Sequence, residues 1–219
     1  MGRSEPDPPH SSTPIMPSVR GTDWVDRVTL AGQHVRLEPL DRQHRDALVD
    51  VGLAPELWRW TLELIATRED MERYADAALA ARDEGVEQPF ATVQVETGRV
   101  VGSTRYLSIE PSHRRLEIGY TWVAPAWQRS AINTEAKLLM LEHAFERLGA
   151  LRVEFKTDAL NEKSRNALLG IGAQFEGILR QHLLSYGGRR RDSAYYSVLD
   201  GEWPAVRARL EARLRRCAE

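Results

Sequence analysis

Residues 123–137 read VAPAWQRSAINTEAK, and this stretch decides the fold because it joins a strand-like run to a helical one. Before it lies Leu116–Val123, a mainly apolar and aromatic run typical of a strand. After it, residues 133–148 carry an apolar face at helical spacing, made of Leu138, Leu141, Phe145 and Leu148. A second strand-like run, Leu151–Asp158, follows. This order predicts a crossover in which the two strands lie parallel.

Further elements surround the crossover. Patterns typical of strands occupy residues 34–40, 90–96, 100–109, 175–185 and 194–199. Helical patterns occupy residues 41–51, 68–84 and 161–172, and the chain closes with a basic helix that begins near Glu202 or Pro204. The short turns around residues 90–123 predict an antiparallel meander. The prediction is a single α/β (α+β) domain over residues 30–216, with a mixed, mostly antiparallel sheet flanked by helices.

Composition narrows the classes of function. The 219 residues carry a formal net charge of −2, which gives no general attraction to nucleic acid or to anionic membranes. No run approaches the ~20 apolar residues of a membrane span. The single cysteine, Cys217, excludes an internal disulfide and a cysteine-based zinc site. Residues 1–29 form a Pro-rich N-terminal tail for which we predict disorder. We expect a cytoplasmic protein with no membrane partner and no nucleic-acid partner.

Two helix starts could carry chemistry. The first backbone N–H groups of a helix lack intrahelical partners and lie at the positive end of its dipole, which suits a pyrophosphate. At the first start, small residues at Ser130 and Ala131 allow close approach of a ligand, and Arg129 adds positive charge. The alternative is that Ser130 or Asn133 only caps the helix. The same alternative, an N-cap, applies to Asn161 at the second start.

Taken together, these patterns resemble the GCN5-related N-acetyltransferase (GNAT) superfamily, and within it the RimJ/RimL-like branch. The resemblance covers about residues 30–210. It rests on the segments VRLEPL at 35–40, LEIGY at 116–120, WQRSAINTEAK at 127–137, RVEFKTD at 152–158, NEKS at 161–164, EGILR at 176–180 and YSVL at 196–199. The resemblance implies a splayed central pair of parallel strands, acetyl-CoA as cosubstrate and no metal.

The resemblance also implies which residues hold the coenzyme. They are Trp122, Val123, Gln128, Arg129, Ser130, Ala131, Ile132, Asn133, Asn161 and Ser164. Trp122 and Val123 are expected to offer backbone groups to the pantetheine arm. Ala131 and Asn133 stand where relatives have glycine or alanine. Because a non-glycine residue restricts the backbone, the departure predicts a weaker or differently shaped grip.

Two residues are candidates for the chemistry itself. Acetyl transfer needs a neutral amine, so a group must take its proton, and Glu117 is the candidate base. The alternative is that Glu117 is a cross-strand partner of Arg105 or Arg115. Ser164 matches the serine that the RimL-like branch directs at the sulfur, while Leu168 stands where many relatives have a tyrosine acid.

The acceptor is harder to read. Trp58, Trp60, Arg180 and His182 are candidate wall residues of the acceptor site, and the two tryptophans could instead be core residues. We expect an N-acetyltransferase that moves the acetyl group by direct transfer to a primary amine, either a protein N-terminal α-amine or a small molecule. The alternative is a catalytically weak or inactive acyl-CoA-binding module.

Two further expectations concern partners. Nucleic-acid binding through the arginines of the C-terminal helix is a third hypothesis, but Glu202 and Glu211 dilute the charge of that helix, which favours a solvated face. A homodimer is possible.

Overall fold

Eight strands form one sheet in the computed structural model, which describes residues 24–217. The strands are β1 (Leu30–Ala31), β2 (Val35–Pro39), β3 (Gln88–Gln94), β4 (Val100–Glu110), β5 (Arg115–Val123), β6 (Arg152–Asp158), β7 (Gln174–Leu184) and β8 (Arg190–Leu199). The helices are α1 (Arg45–Gly52), α2 (Arg68–Asp83), α3 (Ala131–Glu142), α4 (Glu162–Ile171) and α5 (Trp203–Cys217).

The sheet is mixed, with the order β1-β2-β3-β4-β5-β6-β8-β7. Every pair of neighbours is antiparallel except β5 and β6, which are parallel and are connected through α3. The predicted meander, crossover and C-terminal hairpin are therefore confirmed. The predicted fold class, a single α/β (α+β) domain with a mostly antiparallel sheet, is confirmed as well.

Helices cover the two faces of the sheet unequally. On one face α3, α4 and α5 pack against the whole central sheet, in a core that includes Met140, Leu168 and Leu210. On the other face α1 and α2 cover mainly β3 and β4, in a smaller core that includes Leu48 and Met71. Trp122 near the end of β5 joins this smaller core, whereas the second face of β6 and β8 carries polar side chains.

Several elements differ in extent from the prediction, and one strand is additional. The short strand β1 was not predicted, because two residues are too few to show a period. It is followed by a turn that the buried Glu135 holds, since this carboxylate accepts the backbone N–H groups of residues 33, 34 and 35. The main helix starts at Ala131 and passes at residue 143 into a π-helical turn, His143–Arg147.

The predicted N-terminal tail ends earlier than residue 30. Trp24 is 1% exposed and belongs to the larger core, so the packed domain includes at least residues 24–29. An indole of this size is buried because its apolar area is large. The rest of the predicted tail, residues 1–23, lies outside the described residues.

Candidate active site

A cleft opens where β5 and β6 separate. The two parallel strands are paired only from Arg115 to Glu117 on the β5 side, whereas β5 continues to Val123 and β6 to Asp158. Beyond Glu117 the strand edges that face each other are unpaired. The predicted splay of the central strands is therefore confirmed. Unpaired strand edges present backbone N–H and C=O groups to whatever enters the gap.

A bulge in β5 lies inside this gap. Between the pairs Gly119–Arg105 and Trp122–Ser103, β5 has one residue more than β4. Tyr120 sits at the bulge with a φ of 48°, a left-handed conformation that is unfavourable for a residue with a Cβ. Bulges re-aim a strand locally and are frequent beside active sites. The sequence pattern alone gave no sign of this one.

The start of α3 lies directly after β5. Ser130 is the N-cap, and its hydroxyl accepts the backbone N–H of Ile132 at 3.3 Å. The capping alternative for Ser130 is thus realised, while the amides of Ala131 and Asn133 are left at the first turn without intrahelical partners. Arg129, with a φ of 61°, makes the left-handed turn into the helix.

Ala131 and Asn133, which replace glycine or alanine of relatives, do not strain the backbone. Ala131 and Asn133 lie within the regular helix, where a side chain causes no backbone strain. The residue of the loop that needs a positive φ is Arg129 instead. The weaker or differently shaped grip on the coenzyme predicted from these two residues stays a prediction.

Gln128 ties the end of β5 to the start of α4. Its amide Nε2 donates to the carbonyl oxygen of Val123 at 2.8 Å. Its Oε1 accepts from the ammonium of Lys163 at 2.5 Å. These two bonds cross the open end of the cleft and use one lone pair of a carbonyl that was predicted to face the coenzyme.

Glu117 stands at the closed end of the cleft. It is 4% exposed, and burial raises the pKa of its carboxyl above the ordinary value. Its ion partner is Lys156 on β6, at 3.3 Å. The alternative pairing with Arg105 or Arg115 is wrong, because Arg105 pairs with Glu87, and Arg115 pairs with acids outside the cleft.

A second acid lies at the end of β6. Asp158 is fully buried and pairs with Arg189, while the Nε of Arg191 lies 3.8 Å from its Oδ2. The guanidinium of Arg189 also stacks over the ring of Trp60 at 5.7 Å. Trp60 is half-buried, so the structure places this predicted wall residue beside the charged cluster on the polar face of β6 and β8.

His182 joins the same polar face, whereas Arg180 does not. The imidazole of His182 packs edge-on against Tyr195 at 5.8 Å, and burial together with Lys156 lowers the pKa of this histidine. Arg180 is exposed. The prediction that both residues share one strand face is disturbed by an irregularity in β7, where Gln181 has a φ of 50°.

Trp58 lies in the core beneath the site rather than in its wall. It is 4% exposed, and its indole N–H donates to the carbonyl oxygen of Gly52 at 2.7 Å. Its ring packs against Trp122 and Tyr74. The structure therefore does not support a substrate contact for Trp58, and the core alternative is the observed one. Trp122 is also buried there, so only its backbone can face the cleft.

The start of α4 completes the open end. Asn161 is its N-cap, with Oδ1 accepting the backbone N–H of Ser164 at 3.1 Å. The structural alternative for Asn161 is thus observed, and it holds the first turn of α4 in place. Ser164 is half-buried in that turn.

Comparison with known proteins agrees with this geometry. A family model described as an acetyltransferase (GNAT) domain matches residues 34–174, which include β5, α3 and β6. The chain belongs to the GNAT family. A crystal structure of a GCN5-related N-acetyltransferase from Brucella melitensis is 36% identical, covers 86% of each chain and superposes with a TM-score of 0.80.

Two further proteins are similar to this chain. The uncharacterized N-acetyltransferase YoaA of Bacillus subtilis is 31% identical over 104 residues, which are 48% of this chain and 58% of YoaA. The match thus spans little more than half of this curated relative. Mycobacterium smegmatis RimJ in complex with CoA-disulfide is 24% identical, covers 85% of this chain and 92% of that one, and superposes with a TM-score of 0.69. The predicted membership of the GNAT superfamily is confirmed, and the likeness to RimJ is a likeness of fold.

The C-terminal helix of this GNAT protein packs against the sheet and forms ion pairs with α3. Arg207 pairs with Glu142, Glu146 and Glu211, which argues against a free basic face at that position. Arg213 and Arg216, nearer the end of α5, line a cavity of about 430 Å³ at the start of α3. The other lining residues are Arg129, Ser130 and Thr134. None of the helices within residues 24–217 is long and apolar enough to cross a bilayer.

Several residues of the site were not predicted. In the sequence, three of them are merely polar residues of an apparent strand: Lys156, Asp158 and Tyr195. The other two, Arg189 and Arg191, come just after a predicted turn, where charged residues are common. The alternation of residues 152–158 does show which side chains leave the core. What it does not show is the register between β6 and β8, which brings these groups together.

Proposed function

We propose that this GNAT protein is an acetyl-CoA-dependent N-acetyltransferase that moves an acetyl group directly to a primary amine. The observation that carries the proposal is the cleft: β5 and β6 separate beyond Glu117, and the start of α3 stands at the open end. When bound, the coenzyme supplies a thioester whose carbonyl carbon is open to attack by an amine.

The residues present fit such a coenzyme. At the open end, the amides of Ala131 and Asn133 and the charge of Arg129 suit the pyrophosphate. Gln128, Ser130 and Asn161 shape this end by fixing the loop and the two helix starts. The core side chain of Ile132 leaves only its backbone on this surface.

The free edge of β5 suits the arm of the coenzyme. Backbone groups of Trp122 and Val123 are the ones predicted to pair with the pantetheine amides. Both residues lie on the part of β5 that has no partner in β6. The bulge at Tyr120 lies next to them, between the free edge and the closed end.

Glu117 has the properties of the proton acceptor. An amine must lose its proton before it can attack a carbonyl carbon. A buried carboxylate with a raised pKa is a better base near neutral pH than an exposed one. Lys156 holds the Glu117 carboxylate in place and favours its ionised form. The acceptor is proposed to approach Glu117 from the polar face of β6 and β8, which no helix of residues 24–217 covers.

Ser164 is proposed to face the sulfur from α4. A hydroxyl there can donate a hydrogen bond to the departing thiolate, whereas Leu168 is buried and apolar. Replacement of Ser164 by Ala should lower the turnover rate, and a fully active Ser164→Ala enzyme would remove this residue from the mechanism.

The acceptor is proposed to be a protein N-terminal α-amine or a small primary amine. Trp60 and His182 stand beside the charged cluster on the polar face and are the proposed wall residues, with Arg180 at the rim. The structural neighbour from Mycobacterium smegmatis is named RimJ, which motivates peptides with free N-termini as the first acceptors to test.

The test is release of the coenzyme thiol from acetyl-CoA in the presence of single acceptors. Free-N-terminal peptides, the same peptides with blocked N-termini, and small primary amines form the panel, and mass spectrometry identifies the acetylated product. We expect release only with an acceptor, and a loss of about 10²-fold or more in Glu117→Gln. Glu146→Gln is the control, because Glu146 pairs with Arg207 of α5 on the helix side of the sheet and does not contact Glu117. Tight coenzyme binding with no acceptor-dependent release would instead favour the acyl-CoA-binding module.

A further inference from the structure

Lys137 is a buried amine on the helix side of the cleft. It is 5% exposed, and its Nζ donates to the hydroxyl of Thr121 at 2.7 Å. Within residues 24–217 no carboxylate pairs with it. Lysine is seldom buried without such a partner, since the interior penalises its charged form. The side chain therefore needs an explanation other than packing.

Asn133 presents a second incompletely bonded group on the same helix face. It lies four residues before Lys137, and residues at this spacing are neighbours on a helix surface. Its Oδ1 is buried and finds no hydrogen-bond partner among the described residues. A buried acceptor without a partner destabilises the fold. Lys137 and Asn133 thus offer a donor and an acceptor side by side.

The position of Thr121 locates Lys137 beside the cleft, and Asn133 lies one helical turn nearer the start of α3. Thr121 is exposed and lies on the part of β5 that has no β6 partner. It stands between the first turn of α3 at one end and Glu117 at the other. Its hydroxyl is also 2.7 Å from that of Thr104, which is buried. Hydroxyl and amine groups therefore lie together at this point, between β5 and α3.

We propose that Asn133 and Lys137 bind the pantetheine arm of the coenzyme from the helix side, an inference that rests on the proposed function. The arm carries two secondary amides, each with one N–H and one carbonyl oxygen. Lys137 donates to one carbonyl and Asn133 accepts from one N–H. The arm is then held by the backbone of β5 on one side and by these two side chains on the other.

Burial lowers the pKa of Lys137 to about 7, and no charged side chain of the described residues contributes to this shift. Near neutral pH the amine is therefore neutral for a large part of the time. A neutral amine beside an uncharged amide loses little on desolvation, which matches the chemistry of the arm rather than that of a phosphate.

The test compares two ligands that differ by the arm. Affinities of the full chain for CoA and for 3′-phospho-ADP, which lacks the arm, are measured by calorimetry for wild type, Lys137→Met and Asn133→Ala. We expect each variant to bind CoA about tenfold more weakly, the effect of one lost hydrogen bond. Binding of 3′-phospho-ADP should stay within about twofold of wild type.

Glu135→Gln is the control, because it alters a buried side chain of α3 that points to residues 33–35 and not to the cleft. It should leave the ratio of the two affinities unchanged. Equal losses for both ligands in Lys137→Met, or no loss for CoA in either cleft variant, would overturn the inference. Failure of wild type to bind CoA at all would instead overturn the proposed function, and the inference with it.

Discussion

Replacement of Lys137 by methionine should make the protein more stable at neutral pH. Burial lowers the pKa of Lys137 to about 7, while the ordinary value is 10.5. Between these two values the unfolded chain binds more protons than the folded one, so wild-type stability rises with pH across this window. At pH 7 this difference in pKa lowers the unfolding free energy of the wild type by about 4 kcal/mol, a penalty that methionine removes. The variant also loses the hydrogen bond to Thr121, which reduces its gain by about 1 kcal/mol. The net gain for Lys137→Met is about 3 kcal/mol at pH 7.

Urea denaturation at pH 7 and at pH 10, with wild type and variant side by side, measures this directly. The midpoint of Lys137→Met should be higher at pH 7. The gain should nearly vanish at pH 10, because this pH is close to the ordinary pKa of 10.5 and a neutral amine then costs the folded state little. The slope of unfolding free energy against urea should not change. A variant that is less stable at pH 7, or one whose advantage is the same at both pH values, would refute the assignment of Lys137 as a desolvated amine.

Three further substitutions test other parts of the structure. Glu117→Gln should lower turnover most at the acid end of the pH range, where the acceptor amine is still protonated, and least near the pKa of the amine. A pH–rate profile parallel to that of wild type would exclude Glu117 as the base. Arg129→Gly should raise the unfolding free energy by about 1 kcal/mol, because the left-handed φ of 61° is free of strain for glycine, and should weaken CoA binding. A lower unfolding free energy or an unchanged affinity for CoA, each measured by calorimetry, would contradict this. Trp58→Ala should cost about 3–5 kcal/mol in chemical denaturation as a core truncation, whereas a loss of less than 1 kcal/mol would argue for a surface role.

Much of the fold follows from local patterns. The helical period of residues 133–148 and the apolar strands on either side are enough to predict a parallel pair. Two strands joined through a helix that packs on their sheet run in the same direction. The splay of that pair came from the family resemblance and not from periodicity. The bulge at Tyr120 and the short β1 escaped prediction because each involves one or two residues, too few to show a period.

The candidate site was predictable at its helix starts and less so on its polar face. Ser130 and Asn161 stand at the starts of strong helical patterns, and both are N-caps. The partner of Glu117 is Lys156, a residue 39 positions away whose proximity depends on the strand register after the crossover. Trp58 could be read as wall or core, because its position depends on how α1 and α2 pack over β4. Such long-range relations are set by tertiary packing and leave no local signal.

Amide hydrogen exchange of the full chain with and without saturating CoA tests the central claim, that the gap between β5 and β6 holds the coenzyme. Slower exchange is expected in peptides that cover residues 118–123 and 130–134, with β7 unchanged. Protection confined to other surfaces, or unchanged exchange across residues 118–123 while CoA is bound, would contradict the account.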